Sequence, residues 1–510
     1  MNGVWQVSVL AAFLLGTFAV PLGAADDDKP IWLVVTRAAF VEAIRPLARE
    51  RREQGFDAVI STASASSAIT GLKRRPAFIL LVGDAGRGQE RLPWHIPAEW
   101  RELYRWQAQQ EKHFASDAIL GDFDGDLVPD VPVGRLPVRT REQLDVVVGK
   151  ILAFEKKQLT PDDLRLPVWS GAPGFSPTVD SFCTMLLLAQ VGHRAPAWVA
   201  PWLISADPAH PLCGWPPDHG RMFTGQLKRG GVLAVMIGHG MPDHFHSMRF
   251  RDATIAYTKT EAAQLATGNP GPPLVIICCH CGSFAGRRNS LAESLVLMRG
   301  GPCAVVGATT ESHPLPNYFT AISLLKGLSR NEERLGSLWL AVQRDALRSR
   351  NFLMEAVLRG VEGKLEENLD VAKLRRDQIL MYALLGDPAM RLHLPEALEA
   401  TVKRQDDGWH WEVRKPREAT RLYVTFREAG RAYPKTAHPF EKVTARERFR
   451  LANATYDFAT ARELPVGLPW KGVLDKEGTL RLVAVGPGRI YVATSTLKAP
   501  EEQPAAGENP

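Results

Sequence analysis

Cysteine is scarce in this chain: six in 510 residues, at positions 183, 213, 278, 279, 281 and 303. That is too few for a scaffold stapled by disulfides. One bridge, Cys183 with Cys213, is compatible with an exported protein, but the sequence does not decide the pairing. Long apolar runs are also missing after residue 24, and nothing later approaches the ~20 residues needed to span a bilayer. Charge of a single sign is missing as well, since 62 Lys and Arg face 56 Asp and Glu, for a net +6. The basic residues form no stripe interleaved with aromatics, which argues against nucleic acid as a partner. No internal repeat is visible.

The one long apolar segment, residues 7–24 (VSVLAAFLLGTFAVPLGA), itself lacks a basic leader, because MNGVWQ carries no Lys or Arg. Gly23 and Ala25 stand at the minus-three and minus-one places of a cleavage site, and Asp26, Asp27 and Asp28 follow. This reads as a secretory signal over residues 1–25, with a retained anchor as the alternative. The mature chain is then expected to be secreted, periplasmic or in the cell envelope, with no stable membrane span after signal removal.

What is present is an ordinary folded composition, 45% hydrophobic and 23% charged. Its length allows two to four domains at roughly 100–200 residues each. Short apolar runs at 31–36, 58–62 and 78–84 read as strands, with helical spacing over 38–52 between the first two. Strand and helix alternate again over 167–328, and 332–386 reads as helical. Such alternation predicts an α/β fold, a mostly parallel sheet flanked by helices. From about residue 398 short alternating segments with Gly and Pro between them predict a small all-β, sandwich-like module. The predicted division is a signal at 1–25, an N-terminal α/β subdomain at 26–160 and a second, catalytic one at 161–395. A β domain follows at 396–497, and a tail disordered by composition at 498–510.

Two apolar runs carry the chemistry. Residues 230–238 (GGVLAVMIG) lead into His239 and Gly240, and residues 272–277 (PPLVII) lead into Cys278, Cys279, His280, Cys281 and Gly282. Runs of this kind are strands buried on both faces, and a parallel sheet presents its functional groups just past the carboxyl ends of its strands. If the two strands are neighbours, His and Cys emerge at one edge. A thiol with a nearby base is a nucleophile for acyl transfer, and imidazole is the side chain suited to move the proton near neutral pH. Cys279 would attack a carbonyl, His239 would protonate the leaving amine, and water would resolve the thioester. The N–H groups of Gly240 and Cys279 are candidates for an oxyanion hole. One Cys with one His is weak by itself, since both residue types are commonly structural; the paired strand-His-Gly and strand-Cys context adds the weight.

These segments resemble the gingipain-type cysteine peptidases, clan CD relatives of caspases and legumains. That group has an apolar block ending in His-Gly and a later one ending in the nucleophilic Cys. Further matches are LVGDA at 81–85, GDFDGD at 121–126 running on to Pro129 and Asp130, VGRLPV at 133–138 and LGDPA at 385–389. The resemblance spans roughly residues 31–394 and implies a caspase-like fold and cysteine endopeptidase activity on protein or peptide substrates. The family pattern after the strand, Cys-x-x-small-x-Phe, selects Cys279 as nucleophile, with Cys281 as the second candidate and Cys278 turned to the core. An acid that orients the His would be Asp180, which also suits a helix start. The segment holding Glu311 and His313 should help line the substrate pocket. It carries His and Pro where a gingipain can offer Trp, so Arg or Lys specificity does not follow. The resemblance also admits a second function, a non-proteolytic or transpeptidase-type protein of secretion and surface attachment on the same fold.

Acyl transfer of this kind requires no cofactor. Asp122, Asp124, Asp126 and Asp130 match the first half of a calcium loop, although Leu127 replaces its turn glycine; a structural calcium and an Asp-rich turn are both open. His239, His244 and His246 with Cys279 and Cys281 do not have the spacing of a closed zinc site. Oligomeric state is not indicated.

Overall fold

The computed structural model describes residues 29–104, 112–174, 177–330, 332–353, 355–356, 370–430 and 440–498. The predicted signal and the end of the tail, from residue 499, lie outside the described residues. Among the described residues, fifteen strands precede the C-terminal module. In the first part of the chain they are β1 (Ile31–Thr36), β2 (Asp57–Ser61), β3 (Phe78–Val82), β4 (Glu99–Glu102), β5 (His113–Ser116) and β6 (Val133–Leu136). Then come β7 (Arg165–Ser170), β8 (Ala200–Ser205), β9 (Ala234–Ile237), β10 (His239–Met241), β11 (His244–Phe250), β12 (Ala253–Thr258), β13 (Leu274–Ile277), β14 (Val305–Ala308) and β15 (Tyr382–Leu385).

Ten of these form one sheet in the order β2-β1-β3-β6-β15-β14-β13-β9-β7-β8. All neighbours are parallel except β14 with β15, which run antiparallel. The sheet is therefore two parallel halves of opposite direction joined along that single seam. Every residue of β1, β3, β13 and β14 is buried, which is why those runs are continuously apolar. Helices cover the faces, among them Val41–Glu53, Arg141–Lys156 and Pro314–Gly327. The fold is the α/β architecture expected.

Two local expectations fail. Residues 332–386 are not helical throughout: Leu335–Arg348 and Val371–Met381 are helices, but Tyr382–Leu385 is a central strand. Four apolar residues buried on both faces read the same in either state, and only the pairing with β6 and β14 decides. The C-terminal module also contains more than strands. Its strands are β16 (Glu396–Ala397), β17 (Ala400–Gln405), β18 (Gly408–Val413), β19 (Arg421–Glu428), β20 (Ala459–Pro465), β21 (Lys471–Leu474), β22 (Gly478–Gly486) and β23 (Arg489–Leu497). Sheets β16-β23-β22-β19-β20 and β17-β18-β21 enclose a core that includes Trp411, Trp470, Leu422 and Leu482. Helix Lys442–Ala454 leaves this sandwich and docks on the main sheet, where Asn453 bonds both the N–H and the carbonyl of Leu203 at 2.8 and 3.1 Å. Phe449 meets Trp202 edge-on beside it.

Candidate active site

Strands β9 and β13 are direct neighbours, with Ile237 paired to Ile277 at their carboxyl ends. His239 and Cys279 each lie two residues beyond that pair, so the two runs deliver them to one rim. Gly238 (φ +159) donates to the carbonyl of Ile277 at 3.2 Å, and the chain then turns into the β10–β11 hairpin. Gly240 is required there by space. A Cβ would meet Cys278 Sγ at 2.4 Å, the Cys279 carbonyl at 2.6 Å and Cys281 Sγ at 2.7 Å. The glycine thus lets the His strand press against the Cys turn.

After β13 the chain makes a three-residue γ-turn. His280 has φ 58°, and Cys281 donates back to the Cys279 carbonyl at 2.7 Å. A positive φ at a non-glycine residue is strained, and such strain persists only where the surroundings over-determine it. Here the His280 N–H donates to Thr310 at 2.9 Å, and Gly282 donates to Ala308 at 2.8 Å. The turn splits the three thiols. Cys278 and Cys281 are fully buried, their sulfurs 3.2 Å apart, and burial pushes the Cys278 thiol well up. Cys279 is partly exposed.

The Cys279 thiol lies against Ser312: the Ser312 N–H donates to Sγ at 3.4 Å, and Sγ is 3.7 Å from its hydroxyl. Desolvation raises the Cys279 pKa, Ser312 pulls the other way, and the carboxylate of Glu311 adds to the rise. A buried polar chain continues behind: Asn317 donates to the Ser312 hydroxyl at 2.8 Å and accepts from Gln378 and Tyr382 at 2.6 and 2.8 Å. Ser312, Asn317, Gln378 and Tyr382 carry no sequence signal, because they come from two distant segments.

The exposed ring of His239 has Nε2 2.6 Å from the Pro173 carbonyl. A carbonyl only accepts, so Nε2 carries the proton and Nδ1 is left as the basic nitrogen. Asp180 stands one link behind, accepting the N–H of Gly174 at 3.1 Å, and a Cβ on Gly174 would lie 2.8 Å from Nε2. Glu311 is half-buried near the thiol. His313 departs from the expected pocket lining. Its ring is buried, and Nδ1 accepts from Leu315 to cap helix Pro314–Gly327, satisfying one of the N–H groups that the first turn of a helix leaves without an intrahelical partner.

Arg135, in the VGRLPV segment, is a further residue the sequence does not single out. It is fully buried, holds Asp117 through two bonds at 2.6 and 2.8 Å, and lies 4.8 Å from the ring centroid of Phe284. It thereby braces the far end of the cysteine turn. Another Cys–His contact, His219 Nε2 to Cys213, runs to the backbone carbonyl inside the core. Cys213 is fully buried and its thiol is pushed far up by desolvation, so that contact is structural. Cys213 is unbridged among the described residues; the side chain of Cys183, with which a bridge was considered, lies outside them.

Of the four aspartates, Asp122, Asp124 and Asp130 bring carboxylate oxygens within 4.8 Å of one another. An all-oxygen set suits a hard cation such as calcium. Asp126 is not part of this cluster; its carboxylate accepts from Val128 at 2.8 Å. Leu127 takes the left-handed conformation, φ 66°, at the place of the turn glycine. Among the described residues this is the only cluster with ligand-like separations, and His239, His244, His246, Cys279 and Cys281 are not part of one.

Comparison with known proteins adds a family and a fold. The model for peptidase family C25 matches residues 25–393. The complex of the pro- and mature domains of RgpB from Porphyromonas gingivalis is similar in structure, with TM-score 0.51 at 15% identity, covering 92% of this chain and 100% of that one. The Arg-specific cysteine proteinase gingipain R is likewise similar, with TM-score 0.52 at 14% identity over 92% and 98% of the two chains. No curated protein sequence matches the chain.

Proposed function

We propose a residue-level mechanism from one premise: this chain belongs to peptidase family C25. It is a gingipain-type cysteine endopeptidase, and its substrates are proteins or peptides. In our reading Cys279 is the nucleophile and His239 the general acid and base. What supports this is the pairing of β9 with β13, which brings both residues past the same register pair. Neighbouring strands lie about 4.8 Å apart, so the two chains leave the sheet side by side.

The resting thiol is protonated, because burial disfavours its anion. Proton transfer to His239 Nδ1 therefore accompanies attack on the scissile carbonyl. The Cys279 sulfur bonds to the carbonyl carbon, the imidazolium protonates the departing amine, and water hydrolyses the thioester. The N–H groups of Gly240 and Cys279 are the proposed oxyanion donors. Asp180 acts at one remove, by holding the loop whose Pro173 carbonyl orients the ring. We also take the protein to be exported, on the strength of the apolar segment at 7–24.

Labelling with a small thiol alkylator, read by mass spectrometry, tests the assignment. One adduct at Cys279 is expected, absent in Cys279→Ala and slowed in His239→Ala, with peptide cleavage lost in the first and reduced about 10²–10⁴-fold in the second. Equal labelling of all thiols, or cleavage surviving Cys279→Ala, would sink it.

A further inference from the structure

A cavity of about 460 Å³ opens beside the cysteine turn. Its walls continue the three segments that carry the candidate site. Met241 is two residues past His239, His280 follows Cys279, and Thr310 lies two residues before Ser312. The fourth wall is the β4–β5 hairpin, through Trp100 and His113. Its volume is within the range of sites that bind part of a small ligand or side chain.

The charge lining is one-sided. Among the described residues, Arg87, Arg287, His113 and His280 line the cavity and no carboxylate does, the two arginines supplying its fixed charge. Glu102 is paired across the hairpin with His113 but is not part of the lining. Arg87 has its guanidinium 4.9 Å from the ring centroid of Trp100, a stack that fixes the direction of its donors. The Arg87 guanidinium over Trp100, with Arg287 in the same lining, suits a planar anion, which an arginine can bind through two parallel hydrogen bonds. They oppose a substrate Arg or Lys.

Resting on the peptidase reading above, we propose that this cavity is a substrate subsite for a carboxylate near the scissile bond, with Arg287 and Arg87 as its specificity-determining residues. The group is a Glu or Asp side chain or the terminal carboxylate of a short peptide.

Peptide binding to the full-length Cys279→Ala variant, measured by calorimetry, tests this without needing turnover. The probes are amidated peptides differing only in Glu against Gln, and a matched pair with free and amidated C-termini. The expected result is at least about tenfold tighter binding of the carboxylate member of one pair, as charge-assisted bonds to arginine would give. Which pair responds identifies the source. The ratio should collapse towards one in Arg287→Gln and be partly kept in Arg287→Lys, with Arg87→Gln as an independent second removal. Equal affinities within both pairs, or tighter binding of Lys peptides, would overturn the proposal. Cleavage by the wild-type chain separates the two readings. Cleavage with no carboxylate preference leaves the peptidase standing and ends the subsite; carboxylate binding without cleavage does the reverse.

Discussion

The acidity of Cys279 is set by three neighbours that oppose one another. Desolvation and the Glu311 carboxylate raise its pKa, while the N–H and hydroxyl of Ser312 lower it. Alkylation should therefore accelerate with pH into and beyond the ordinary thiol range, since only the thiolate reacts. Glu311→Gln removes a charge that disfavours the anion, and should move the rate profile to lower pH. Ser312→Ala removes a donor to it, and should move the profile higher. Iodoacetamide rates measured against pH check both signs. The role of Cys278 at this scale is different: wholly buried and 3.2 Å from Cys281, it should stay unlabelled at neutral pH. Alternation along a strand already assigns Cys278 to the core, because successive side chains point to opposite faces. Nothing in the local sequence points to Ser312 or Asn317, since their meaning comes from contacts to Cys279, Gln378 and Tyr382, each 33 or more residues away.

The site is made where two strand-ends and a turn interlock. Gly240→Ala would place a methyl carbon within 2.7 Å of two sulfurs and a carbonyl. Such overpacking costs about 1–3 kcal/mol and should push the cysteine turn off its register. Urea unfolding would show the loss, together with slower Cys279 labelling. The γ-turn offers the opposite test. His280→Gly removes a penalty of roughly 1–2 kcal/mol for the left-handed conformation, partly offset by glycine's flexibility. It should leave stability equal or slightly raised, whereas His280→Val should lower it. The two apolar runs are legible as strands because each is short, β-rich and bounded by Gly or Pro. Strand β15 is not, since four apolar residues following a helix continue its pattern and only their neighbours settle the matter.

Across the molecule, a buried ionic knot ties the helices packed on the first sheet half to the loop after β15. Arg51 on helix Val41–Glu53 holds Glu155 at 2.9 Å and Asp387 at 2.7 Å, and Asp387 also accepts from Trp32 at 3.0 Å. All three charged groups are buried. Removing one partner leaves an uncompensated charge, so Asp387→Ala should cost about 3–5 kcal/mol in thermal or urea unfolding. Asp387 sits in the LGDPA segment, whose position just after β15 explains why a short loop matters so far from the thiol. Acid should weaken the whole fold through His219. Burial lowers its pKa from 6.5 to about 4, so the unfolded chain binds this proton first. Its contribution is full above pH 6.5 and is lost as pH falls towards 4, at most about 3 kcal/mol at 1.36 kcal/mol per pKa unit. Melting temperatures across that window, flatter in His219→Gln, would check it.

By itself the sequence determined most of the elements and their order, β15 and the helix Lys442–Ala454 apart, because apolar periodicity and Gly or Pro boundaries are local properties of the chain. It also carried the motifs by which the family is recognised. Only the tertiary structure decided which groups share a space: His239 with Pro173, Cys279 with Ser312, Asp126 apart from the other aspartates, and two arginines around one cavity. Those arrangements depend on strand order and loop return, which join residues far apart in the chain and leave no periodic trace in it.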